Sequence, residues 1–138
     1  MSRKLYSRQH PDLLLHIIQK CEDITENRRD IVPPNEFIQV SCFTMKQNKT
    51  FRPHKHIEHT RYSNMTQESW VCIRGRVRVI LYDVDDTVLH EEILMPGDCS
   101  VTLRGGHNYE SLEDDTLVYE YKLGPYTGQE GDKVFIEN

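Results

Sequence analysis

The chemistry this sequence offers rests on four histidines and a glutamate. His54, His56 and His59 fall within Phe51-Arg52-Pro53-His54-Lys55-His56-Ile57-Glu58-His59. On a strand, side chains alternate with period two, so His54 and His56 would point to one face. Two neutral imidazoles converging on one spot can chelate a metal ion. Glu68 opens Glu68-Ser69-Trp70-Val71-Cys72-Ile73-Arg74-Gly75, where it shares a face with Trp70 and Cys72. A carboxylate among such neighbours is costly unless paired. A metal would pair it, and so would a buried salt bridge to an arginine such as Arg61. His107 follows two glycines in Arg104-Gly105-Gly106-His107-Asn108-Tyr109. Glycines at that place let the backbone approach closely and present the imidazole at a strand start. Each piece alone has a plainer explanation: H-x-H pairs occur in exposed segments, and an isolated histidine is commonly just hydrogen-bonded. Together they gather one carboxylate and three imidazoles.

Such residues need rigid elements to hold them. Leu13, Leu14, Ile17, Ile18, Cys21 and Ile24 recur at helical spacing, which predicts a helix over Pro11–Ile24 with Pro11 at its first position. His16 lies off that stripe and reads as a surface residue. Thr25–Asp30 and Pro33-Pro34 then end the helix and lead onward. From Glu36 the signals turn to short strands. These are expected over Phe37–Met45, over Ser69–Tyr82 as two strands hinged at Gly75, and over Val88–Leu94, Val101–Leu103, Tyr109–Leu112 and Leu117–Leu123. Pro96-Gly97-Asp98 is a strong turn tripeptide. Asp83-Val84-Asp85-Asp86 lacks the glycine and the closing glutamate of a calcium loop, so it reads as a hairpin turn. Gly124–Gly128 reads as a turn that brings the C-terminus back over the strands. The expected organisation is a helix and linker over 1–35 and an all-β barrel over 36–138, one domain in all.

The 138 residues carry 17 Lys and Arg against 22 Asp and Glu, a net charge of −5. Nucleic acid as a partner is disfavoured, because the basic cluster Arg74, Arg76 and Arg78 alternates with apolar residues as a solvated sheet face does. No apolar run approaches the ~20 residues that span a bilayer, and the first twenty positions lack a signal-peptide pattern. A cytoplasmic protein with no membrane partner is therefore expected. Cys21, Cys42, Cys72 and Cys99 form no CxxC pair and sit among apolar neighbours, as buried reduced thiols would.

The two stretches resemble the two motifs of the cupin family. The first is similar to a histidine pair followed by a glutamate and a glycine, here His54, His56, Glu68 and Gly75. The second is similar to a Pro-Gly-Asp turn followed by a glycine and a histidine, here Pro96-Gly97-Asp98, Gly106 and His107. The resemblance covers roughly residues 36 to 126. Eleven residues separate His56 from Glu68, more than the motif has, so 57–67 is expected to form a loop at the barrel mouth. Leu103 stands where the second motif often has proline, and His107 falls one residue early. His59 is the reserve ligand. A finer likeness is to the small WbuC-like cupins of sugar and polysaccharide biosynthesis clusters, carried by Pro53-His54-x-His56, Gly105-Gly106-His107 and Glu120–Tyr126.

The resemblance implies a double-stranded β-helix, or jelly-roll barrel, with one N-terminal helix before it. It implies one divalent transition metal (Fe, Mn, Ni, Co or Zn) on His54, His56, Glu68 and His107, and a homodimer. Arg61, His59, Trp70 and Tyr109 are the expected substrate-binding residues, and no residue is assigned a catalytic step. Trp70 could stack on a sugar ring or simply pack the core. The expected function is an enzyme acting on a small polar substrate, a sugar or sugar nucleotide, by isomerisation or epimerisation. The alternatives are an Fe(II)-dependent dioxygenase, a metal-free isomerase with His54 and His56 as acid and base, and a non-catalytic sugar-binding module.

Overall fold

A computed structural model describes residues 2–137. The chain is all-β: β1 (Arg3–Tyr6), β2 (Leu14–Gln19), β3 (Arg28–Asp30), β4 (Ser41–Phe43), β5 (Glu68–Arg74), β6 (Val77–Tyr82), β7 (Val88–Leu94), β8 (Cys99–Thr102), β9 (His107–Ser111) and β10 (Leu117–Lys122). Short 3₁₀ turns lie at Cys21–Asp23 and Gln129–Gly131. One sheet has the order β1-β2-β8-β5-β10, a second β7-β6-β9, and β3 pairs with β4 in a hairpin. All pairings are antiparallel.

The helix expected over Pro11–Ile24, and with it the helical character of 1–35, is corrected. Residues 14–19 are a strand, and all six are buried. A strand covered on both faces reads as a continuous apolar run, which helical spacing can mimic. Leu15 has no partner across the β1–β2 ladder, where the register slips. Its carbonyl instead accepts from the Leu103 and Arg104 amides. This bulge lets Leu14 and Ile17 reach the same cluster despite their spacing.

In the five-stranded sheet, β2 and β8 are buried on both sides. On its outer side Ile17, Cys99, Val101 and Leu103 pack under Ile31, Val32 and Ile38, with Val40, Cys42 and Val71 beside them. On its inner side Ile18 and Cys72 meet Val77, Val79, Leu81 and Leu94 of the second sheet. The expected hinge at Gly75 is present, with φ at +82°. A Cβ there would also collide with Thr116. Pro96-Gly97 occupy the centre of a type II turn: Gly97 has φ +92°, and the Asp98 amide donates to the Met95 carbonyl. The Asp98 carboxylate then accepts from the Met95 and Cys21 amides and from Lys20. Asp83–Thr87 forms the expected hairpin turn, closed by Asp83 N–H to Thr87 O. Arg76 and Arg78 form surface ion pairs with Glu113 and Glu110. The cysteines are all free; Cys72 and Cys99 are buried and Cys42 partly so, but Cys21, expected to be buried, is exposed between Lys20 and Glu22. Burial pushes the Cys99 thiol up to about 12.

Candidate functional site

The register of the large sheet lines up polar residues on its inner face. Lys122 pairs with Glu68, Glu68 with Thr102, and Thr102 with His16. One step along, Glu120 pairs with Trp70 and Trp70 with Ser100. The second sheet brings β9 opposite, and its first residue is His107. Glu68 is likewise the first residue of β5. The glutamate of one stretch thus meets the histidine of the other: His107 Nε2 lies 2.5 Å from Glu68 Oε1, with both side chains partly buried. A carboxylate oxygen accepts, so Nε2 carries the proton and donates it. Burial pushes the Glu68 carboxyl up. The His107 hydrogen bond and charge, with Lys122 and Lys133 behind them, outweigh that and hold it below the ordinary glutamate value. The alternative partner for Glu68, Arg61, is not used: its guanidinium donates to the His59 carbonyl.

Two strands carry the pair, and one part-buried network ties down the chain just upstream of each. Glu36 accepts from Arg104, in the turn that leads to His107, and from Gln67, immediately before Glu68. Arg104 also donates to the Leu14 carbonyl, and Gln67 accepts from the Ile38 amide. Burial raises the Glu36 carboxyl, but Arg104 and Gln67 overcome it and keep the group below its ordinary value. Gly105 has φ +85°, and a Cβ there would lie 2.7 Å from the Tyr82 carbonyl. The close approach expected of these glycines is realised.

His16, expected on the surface, is fully buried beneath this turn. Its Nε2–H donates to the Tyr82 carbonyl at 2.9 Å, so Nδ1 accepts from the Thr102 hydroxyl at 3.0 Å. Burial lowers its pKa to about 4, against a partial lift from the Tyr82 carbonyl, so the ring is neutral. His16, Ser100, Thr102 and Lys122 were not anticipated from the motifs. Their signal lies in alternation: Cys99-Ser100-Val101-Thr102 puts polar side chains on one face of a strand whose other face is apolar.

Trp70 and Tyr109 stack on each other, centroids 3.7 Å apart and planes 2° from parallel. The Tyr109 hydroxyl shares a hydrogen bond with Ser100 Oγ, and burial pushes its pKa well up. One face of each ring is therefore occupied, and the pair fills the space between the sheets. Two buried polar atoms here, His107 Nδ1 and Trp70 Nε1, meet no hydrogen-bond partner among the described residues.

The structure does not bring His54, His56, His59 or Arg61 to this pair. They lie in the exposed, irregular segment between β4 and β5, not on the strand that H-x-H alternation implied. The His54 and His56 rings sit edge to face, 5.6 Å between centroids, and His54 Nδ1–H donates to the Arg52 carbonyl. His107 Nε2 and the Glu68 carboxylate could take two places in one metal's coordination shell once Nε2 gives up its proton. Among the described residues, no group of three or more His, Cys, Asp or Glu side chains is arranged to hold an ion. Of the four residues expected as ligands, Glu68 and His107 are brought together and His54 and His56 are not. A separate open groove of about 670 Å³, lined by residues including Lys20, Arg78, Glu92 and Ile93, does not include the pair. No helix among the described residues is long and apolar enough to cross a membrane. No family model, curated protein or solved structure matches this chain.

Proposed function

We propose that the chain is a metal-binding cupin with jelly-roll connectivity. In this proposal it is an enzyme of the isomerase or epimerase type, acting on a small polar substrate such as a sugar or sugar nucleotide in polysaccharide biosynthesis. The observation that supports this most is the meeting of Glu68 and His107, which join the two motif stretches at one point between the sheets. The connectivity supports it too: from β5 to β10 every link except the β6–β7 hairpin crosses from one sheet to the other. His54 and His56 would complete the site by docking of their segment along β9. That strand ends its sheet, and its outer side has no strand partner among the described residues.

A divalent transition metal (Fe, Mn, Ni, Co or Zn) held by the four residues would supply Lewis acidity toward a substrate carbonyl or hydroxyl. Without a metal, His107 Nε2 holds a proton against the Glu68 carboxylate, and binding the ion through both residues would release that proton. Arg61 and His59, on the docking segment, would supply donors for a polar or anionic substrate group. The proposal includes a cytoplasmic setting and a homodimer formed through exposed sheet edges, of which β1 and β10 are two.

The test is elemental analysis of protein purified without chelator or affinity-tag metal, beside Glu68→Ala. About one equivalent of a transition metal in the native protein, lost in the variant, is the expected result. No metal in either, even after reconstitution, would overturn the metal-binding proposal. Bound iron with substrate-dependent oxygen uptake would replace isomerisation by the dioxygenase alternative.

A further inference from the structure

We propose that residues 129–137 form a strap that closes over the Glu68–His107 pair and must lift before a ligand can reach it. The strap is fastened on both sides of the pair. On one side the Thr66 hydroxyl, two residues before Glu68, donates to the Asp132 carboxylate at 2.5 Å. On the other side Ile136 packs against Gly106, the residue before His107, and a Cβ on Gly106 would fall inside the Ile136 side chain. Gly106 therefore has a reason to be glycine that is separate from the φ of Gly105: it is the notch that receives the strap. Between the fasteners lies Lys133. Its amide and that of Asp132 donate to Gln129 O, which gives the strap a turn of its own.

The fastening is weak where it needs to be. No strap residue belongs to either hydrophobic cluster, and Val134 and Phe135 face solvent at 91% and 71% exposure. Among the described residues, one side-chain hydrogen bond and one half-buried isoleucine tie the segment to the strand residues beneath it, so it opens at far lower free energy than the sheets do. In this arrangement His107 Nδ1 is buried and Nε2 is bonded to Glu68.

This inference rests on the pair being the ligand site, but its readout requires neither metal nor substrate. The experiment is modification of the native, metal-free protein by diethylpyrocarbonate, with the rate at each histidine followed by mass spectrometry. Exposed His10 is the internal control. In Ile136→Ala, and in Ile136→Ala with Asp132→Ala, the rate at His107 should rise about tenfold or more while His10 is unchanged. Far-UV circular dichroism should be unaltered, because the strap lies outside the sheets. Equal His107 rates in the native protein and both variants would overturn the strap. Equal His107 and His10 rates in the native protein would overturn it as well, since the pair would then be open from the outset. Neither result depends on whether the protein holds a metal, so the failure of that reading would be seen separately.

Discussion

The two halves of the proposed site differ in what holds them. Glu68 and His107 begin strands paired in register with their neighbours, and Glu36 anchors the residues just upstream of each. His54, His56 and His59 sit on a segment with no strand pairing, where Ile57 and Tyr62 are 84% and 85% exposed. Rigid elements thus fix half of the chemistry, and the other half is carried by a segment that has yet to bury its apolar side chains. Phe51, Ile57, Tyr62 and Met65 all face solvent. In the proposed docking, covering them would add favourable apolar burial to what a ligand contributes.

If this contrast is right, stability should be concentrated in the strands. Leu81 is fully buried between the sheets. Leu81→Ala should cost about 2–5 kcal/mol in urea unfolding, from lost burial and the cavity left behind. Ile57→Ala should stay within about 0.5 kcal/mol of the native protein. Comparable losses at the two positions would break the contrast, because the loop would then be part of the core.

The buried histidine gives a smaller and pH-dependent effect. His16 is lowered in the fold to about 4 from an unfolded value near 6.5. The unfolded chain therefore binds the extra proton first. The stability due to neutral His16 is fully present above about pH 6.5 and is lost as pH falls toward 4. Between pH 7.5 and 4.5 this amounts to about 2–3 kcal/mol. Urea midpoints measured at both pH values should show that loss in the native protein and a clearly smaller one in His16→Asn. An identical pH slope in the variant would remove His16 from the account.

A still smaller effect sharpens the contrast within the site. Gly105→Ala forces a Cβ onto a residue with positive φ, against the Tyr82 carbonyl and 3.2 Å from His16 Nε2. It should cost about 1–3 kcal/mol. The same change at Gly128, where φ is also positive but nothing lies within 4 Å, should carry the backbone strain alone and cost less. Equal losses would mean that the tight packing beneath the His107 turn contributes nothing.

Much of this was legible in the sequence, and the exceptions have physical reasons. The turns at Gly75, Pro96-Gly97-Asp98 and Asp83–Thr87 were readable because positive φ and side-chain–backbone bonds are local requirements. The strands that follow Glu68 were readable from short runs between those turns. The segment Leu14–Gln19 was not, because burial on both faces erases the period that separates strand from helix. His16 was misplaced for the same reason: once the run is a strand, its position points inward. Glu68 and His107 were singled out through their motifs as members of one four-residue site, not as direct partners, whereas Thr102, Ser100 and Lys122 come into line only through the register. H-x-H alternation was misleading because it assumes a strand, and the segment that carries it is not paired as one.

The central claim is that Glu68 and His107 form a centre that the His54–His56 segment can complete. It is tested most directly by following the imidazole resonances of histidine-labelled protein during titration with Zn²⁺. The account predicts that His54, His56 and His107 shift together and saturate at one equivalent, while His10 and His16 stay in place, and that all three responses vanish in Glu68→Ala. Shifts confined to His54 and His56 and unchanged in Glu68→Ala would describe a loop chelate unconnected to the pair, and would contradict it.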